Sequence, residues 1–339
     1  VLKRLITPRN LGILLIIIGI FVVSGALGLL KIPKPFVSLA AEPIFYLGSF
    51  PVTNALFTSW IVMLLLIVLS VLGTRRIPKD VEAAGTDELV PSGLQNILEM
   101  IVEFVNNLSK EIGGHWAPRF FPIVATLFLF VLISNWFGLL PGVGSIGILE
   151  HPHDLTVTSY VANGPILTSE EAGVAAALAV GESSDGEGEE HGGAGYVVIP
   201  FLRAPSTDLN FTLALALVTV LLTQYFGVRA LGVGYFTKFV DFSGFKQGVM
   251  SGMIGLFVGV LELVSEFAKI ISLAFRLFGN IFAGEVLLVV IAFLIPYIVS
   301  LPFYGLEVFV GFMQAFVFLM LSLVFFNLAT IGHGGEEHH

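Results

Sequence analysis

The chain has 339 residues, 56% hydrophobic and 12% charged, with a mean hydropathy of +0.94, a formal net charge of −9 and no cysteine. Such a composition lies far from ordinary water-soluble usage and makes lipid the natural solvent for most of the chain. Without cysteine there are no disulfides, thiolate metal sites or cysteine nucleophiles, and no basic patch suited to nucleic acid is present.

A helix crossing about 30 Å of hydrocarbon needs about 20 apolar residues. Six blocks of that kind occur, at about 11–30, 54–73, 120–140, 208–228, 249–295 and 300–328. They predict an all-α polytopic membrane protein with five to six hydrophobic helices. The first block follows Lys3, Arg4 and Arg9 and ends near Ser24-Gly25-Ala26. It reads either as a retained span or as a cleavable signal segment, and with an external linker it makes up an N-terminal unit, 1–50. If all six blocks alternate, three basic clusters fall on one side: Lys3/Arg4/Arg9, Arg75/Arg76/Lys79 and Arg229/Lys238/Lys246. That side is the cytoplasm, which places both termini there, including the tail 331–339.

Between the second and third blocks the periodicity changes. Leu94, Ile97, Leu98, Ile101, Val102, Val105 and Leu108 recur at helical spacing, opposite Gln95, Asn96, Glu99, Glu103, Asn106, Asn107 and Lys110. This predicts an amphipathic helix lying along the cytoplasmic membrane surface, starting near Pro91-Ser92 and stopping at Gly113-Gly114. After the third block, residues 142–202 hold nine acidic residues and neither Lys nor Arg. The acidic external loop, 142–204, contains the low-complexity run GESSDGEGEEHGGAG, and a solvated insertion is its plain reading. His151-Pro152-His153-Asp154 is too weak a pattern to predict a metal site. Neither a phosphate-binding loop nor a dinucleotide fingerprint occurs, and no cofactor is expected.

Ionisable groups inside a span are costly and mark functional sites. The fifth block carries Glu262, Glu266, Lys269, Arg276, Asn280 and Glu285. The first five share one helical stripe, and Glu285, nine residues beyond Arg276, lies almost opposite. In the sixth block Glu307 and Gln314 share a face. Glu262, Glu266 and Lys269 read equally well as a helix-end cluster pairing at i, i+3 and i+4. Arg276 is different: about 19 residues from the loop near Pro296, it sits near mid-membrane if the helix tilts. A guanidinium stays protonated in proteins, so it serves as a fixed positive charge and never as a proton carrier. The fifth block is also too long for a simple crossing. With the sixth it predicts a long tilted C-terminal hairpin, whose first helix must tilt steeply, bend or emerge on one side, with Gly252, Gly255 and Gly259 as sites for a bend.

LAFRLFGNIFAGE in the fifth block resembles the signature helix of the subunit a family of F-type ATP synthases, and FMQAFVF in the sixth resembles its final helix. Weaker likenesses run through Pro91 to Asn107, FPIVATLFLFVLISNWFGLLPG and APSTDLNFTLALAL, so the resemblance spans about 50–330. It implies a proton-channel domain over 51–330, in the plasma membrane of a bacterium, with no catalytic site of its own. Its partners would be a ring of c subunits, the subunit b peripheral stalk and the remaining complex, within a lipid bilayer and without nucleic acid. Arg276 would face the carboxylate of the rotating ring, flanked by Asn280 and Gln314. Glu285 and Glu307 would line a half-channel from outside, and Glu262, Ser265, Glu266 and Ser272 one to the cytoplasm. Many members pair an acid with a histidine in the outer path; with two glutamates here, a shared proton is expected. A secondary transporter or respiratory pump subunit would show paired repeats or broken helices, which are not apparent. A purely structural anchor would leave Arg276, Glu285, Glu307 and Gln314 unexplained.

Overall fold

A short antiparallel hairpin, β1 (Pro43–Leu47) and β2 (Phe50–Thr53), leads directly into the first described helix. The computed structural model describes residues 41–75, 93–140, 142–143, 146–150, 197–239, 249–294 and 300–331. The first hydrophobic block, Pro91-Ser92, most of the acidic loop, the turn near Pro296 and the tail from 332 lie outside the described residues. The hairpin runs across the boundary drawn at residue 50.

Helix α1 (Asn54–Thr74) starts where the Thr53 hydroxyl accepts the Leu56 N–H at 3.3 Å, an N-cap that satisfies one orphan donor. Its buried face is small and polar, with Asn54, Ala55, Thr58, Ser59 and Val62. Trp60, Met63, Leu64, Ile67, Val68, Val71 and Leu72 remain exposed, as expected of a helix that meets lipid. Helix α2 (Leu94–Gly113) is the amphipathic one and stops at Gly114, whose φ of +49° suits glycine. Val105 is buried and Ile101 and Leu108 pack on the core, but Ile97 and Val102 of the predicted apolar face stay exposed. The apolar stripe is wider than the surface it packs against, so its margin is free for the membrane interface.

Helices α3 (Ala117–Gly138) and α4 (Leu209–Leu231) supply the centre of the bundle. Phe120 of α3, Phe226 of α4 and Phe326 of the last described helix meet with ring centroids 4.8–5.6 Å apart, with Trp116 stacked on Phe120. Such clusters combine a large apolar contact with edge-to-face geometry. Between α3 and α4, β3 (Gly147–Glu150) pairs antiparallel with β4 (Val197–Pro200) and closes the base of the acidic loop. Among the described residues these two small strand pairs are the β structure, and the rest is mainly helical.

The hairpin is formed by α5 (Val249–Leu294), 46 residues and about 69 Å, and α6 (Ser300–Thr330), 31 residues and about 46 Å. Both exceed the hydrocarbon thickness, which favours a steep tilt. Helix α5 runs unbroken through Gly252, Gly255 and Gly259. Gly259 has another use: the Phe239 backbone carbonyl lies where a side chain would be. Five described helices are long and apolar enough to cross a membrane, with α2 and α3 joined as one candidate.

Phe120 is fully buried between three helices, so Phe120→Ala should cost about 3–5 kcal/mol. The expected reading is a lower unfolding midpoint for the chain in detergent.

Candidate functional site

Arg276 projects from the exposed face of α5, where Phe267, Ile271 and Phe275 are exposed with it. Asn280, one turn further on, is exposed on the same side. Among the described residues no carboxylate pairs with this guanidinium. The ion pairs are Arg203–Glu285, Lys238–Glu262, Lys238–Glu266 and Lys269–Glu266. Gln314 is buried on α6, and its amide donates to the Arg276 carbonyl oxygen at 2.6 Å. It therefore fastens the two helices at the level of the arginine without holding the arginine's side chain.

The predicted polar stripe divides on folding. Toward the N-terminal half of α5, a 3-10 segment, Gly232–Lys238, covers Glu266, while Arg276 and Asn280 stay open. Gly227 on α4 has the Tyr235 ring against it, leaving no room for a side chain and drawing this segment onto the bundle. Glu266 Oε1 accepts from Lys238 at 2.9 Å and from Lys269 at 3.0 Å, and Glu262 lies 3.7 Å from Lys238. Lys238 also sits over the rings of Tyr235 and Phe239, at 4.3 and 4.5 Å. Burial opposes the Lys238 ammonium, but hydrogen bonding with Tyr235 and Glu266 outweighs it and raises its pKa above the ordinary lysine value of 10.5. Burial likewise pushes the Tyr235 phenol up.

Two cavities of about 250 Å³ each adjoin this cluster. One is lined by Tyr235, Lys238, Glu262 and Glu266, the other by Ser265, Ser272 and Arg276. Both are lined by Lys269 and Phe325. Ser265, Ser272 and Arg276 are thus brought to one cavity, and Glu262 and Glu266 to its neighbour.

At the opposite end of the hairpin Glu285 and Glu307 flank Gly284. Glu307, 6% exposed, places its carboxylate where a Gly284 side chain would be. Glu285 Oε2 accepts from Arg203 Nη2 at 3.2 Å, and that arginine is itself 6% exposed. Where the sequence predicts a proton shared between Glu285 and Glu307, Glu285 has Arg203 as its ion-pair partner. The Arg203 N–H donates to Thr58 of α1 at 3.1 Å, and the following turn, Pro205–Thr207, is held by Ser206 donating to Asn135 Oδ1 at 2.6 Å. Asn135 in turn donates to the Gly311 carbonyl at 3.0 Å, and Trp136 to that of Val308 at 3.0 Å. Asp208 caps α4, accepting the Asn210 N–H at 2.9 Å. Burial raises its pKa against that bond and the Arg203 charge.

Residues 56–327 match the family model described as ATP synthase A chain. The chain belongs to this family. It is similar to ATP synthase subunit a of Moorella thermoacetica, 29% identical over 294 residues that cover 86% of this chain and 96% of that protein. Membership in the ATP synthase A chain family makes this a multi-pass membrane protein and a channel component of the ATP synthase membrane sector, with a role in proton transport.

Arg203 and Lys238 belong to these clusters although neither stands out in the sequence as a site residue. Arg203 ends the long stretch without basic residues and stands just before an apolar block, a signal that could have marked it. Lys238 gave no local signal, because its partner lies 28 residues away.

Gly284→Ala keeps every ionisable group but displaces the Glu307 carboxylate, and should lower proton translocation by ~10-fold or more, measured as acidification in vesicles carrying the complex. A second expectation concerns pH. Because the folded pKa of Lys238 is raised, its stabilisation is fully present below the ordinary value of 10.5 and lost as pH rises through the higher folded value. Unfolding midpoints measured against pH should show this alkaline step, and Lys238→Met should lack it.

Proposed function

We propose that this chain is the stator of a rotary proton motor, with two offset half-channels separated by Arg276. The observation that carries the reading is an arginine on an exposed, apolar helix face without an acidic partner among the described residues, beside a cavity. A charge so placed is costly in lipid and calls for a carboxylate on another molecule. The partner that answers is the carboxylate of a c-subunit ring, against which the long α5–α6 hairpin rests.

Protons enter from outside past Glu307 and Glu285 and neutralise a ring carboxylate, which can then turn into lipid. After nearly a full rotation that carboxylate meets the path along Ser272, Ser265, Glu266 and Glu262 and releases its proton to the cytoplasm. Arg276 favours the ionised carboxylate and, with Asn280 and Gln314 beside it, bars direct passage between the two paths. Each charge crossing the membrane carries about 2.3 kcal/mol per 100 mV, so any leak here dissipates the drive for synthesis. The chain has no ATP site of its own in this scheme. It works with the subunit b stalk and the rest of the complex, in a bacterial plasma membrane, with both termini in the cytoplasm if the first hydrophobic block is retained.

Arg276→Ala should abolish proton-driven ATP synthesis while the catalytic head still hydrolyses ATP. Normal synthesis by membranes carrying the assembled variant would refute the proposal.

A further inference from the structure

The acids at the Lys238 end of the hairpin are matched by bases: Glu262 and Glu266 by Lys238 and Lys269. A cavity lined by unpaired carboxylates attracts metal cations, which is how acidic rings select cations in channels. Here both lysines converge on Glu266 Oε1, the position from which that carboxylate would otherwise ligate a cation. Lys269 also lines both cavities, with its ammonium 5.5 Å from the ring of Phe325, the other residue they share. Lys269 and Phe325 are thus the lining common to the cavity of Glu262 and the cavity of Arg276.

We propose that Lys269, aided by Lys238, is a specificity-determining residue that keeps sodium and potassium ions out of the path while protons pass. The proposal rests on the half-channel reading and adds its ion selectivity. A metal ion moves as a body and meets two ammonium groups and then the guanidinium of Arg276. A proton instead transfers between hydrogen-bonded groups without displacing either lysine. Glu266 Oε2 has no hydrogen-bond partner among the described residues, and Ser265 and Ser272 line the second cavity. These are the groups left for such a relay.

The test uses the complete ATP synthase in proteoliposomes, with ATP-driven proton pumping measured in choline chloride and in sodium or potassium chloride of equal ionic strength. The wild type should pump equally in all three. Lys269→Met should pump in choline but be inhibited several-fold by sodium and potassium on the cytoplasmic side, and Lys269→Arg should remain insensitive. Lys238→Met should shift in the same direction, and it decides the matter if Lys269→Met fails to assemble. Assembled methionine variants indifferent to the cation, or a wild type that requires sodium, would overturn the inference. The path itself is tested separately by Ser272→Leu in choline. Blocked pumping there supports the path whatever the methionine variants do, whereas undiminished pumping removes the path and this inference with it.

Discussion

A guanidinium left exposed on an apolar helix face is the constraint around which this chain is organised. The cost of a charge within hydrocarbon runs to several kcal/mol unless another group or water answers it. Arg276 is not sheltered by its own chain: its neighbours on the exposed face are phenylalanine and isoleucine, and every acid among the described ion pairs is engaged elsewhere. An arrangement so unfavourable in isolation makes sense for a surface built to be completed by another subunit. The Gln314 bond to the Arg276 backbone keeps α5 and α6 in register at this level.

Among the described residues the ion pairs fall in two regions at opposite ends of the hairpin, each tied down by an element outside it. At one, the Gly232–Lys238 segment is drawn onto Gly227 by Tyr235 and delivers a lysine to Glu266. At the other, the Pro205–Thr207 turn is held through Ser206 and Asn135, and the residue two before it, Arg203, reaches Glu285. Between them lies the aromatic and aliphatic packing of α3, α4 and α6. Short connecting segments thus set the electrostatics of the long helices, since a helix in lipid can bring few charges of its own.

The helices were legible because crossing a membrane demands a length of apolar sequence that few other structures require. The breadth of α2's stripe, the stop at Gly114, and the face shared by Glu307 and Gln314 all follow from helical periodicity. What could not be read came from contacts far apart in sequence. Arg203 and Glu285 are 82 residues apart, and the Lys238–Glu266 pairing depends on a segment whose course no local pattern dictates. The same gap explains Gly259 and Gly284. Each looks like a weak point in a helix, yet each marks where a neighbouring carbonyl or carboxylate comes too close for a side chain.

The stem formed by β3 and β4 has an evolutionary consequence. By pairing Gly147 with Pro200 and Glu150 with Val197, it brings the two ends of the intervening insertion together before the chain re-enters the bundle. Closing a loop costs free energy that grows only with the logarithm of its length, so the span beyond such a clamp can lengthen, shorten or change composition at little thermodynamic expense. Arg203 sits three residues past the clamp, where its N–H meets Thr58 of α1 and its guanidinium meets Glu285. Changes of length or composition in the acidic insertion are thereby separated from the charge that meets Glu285.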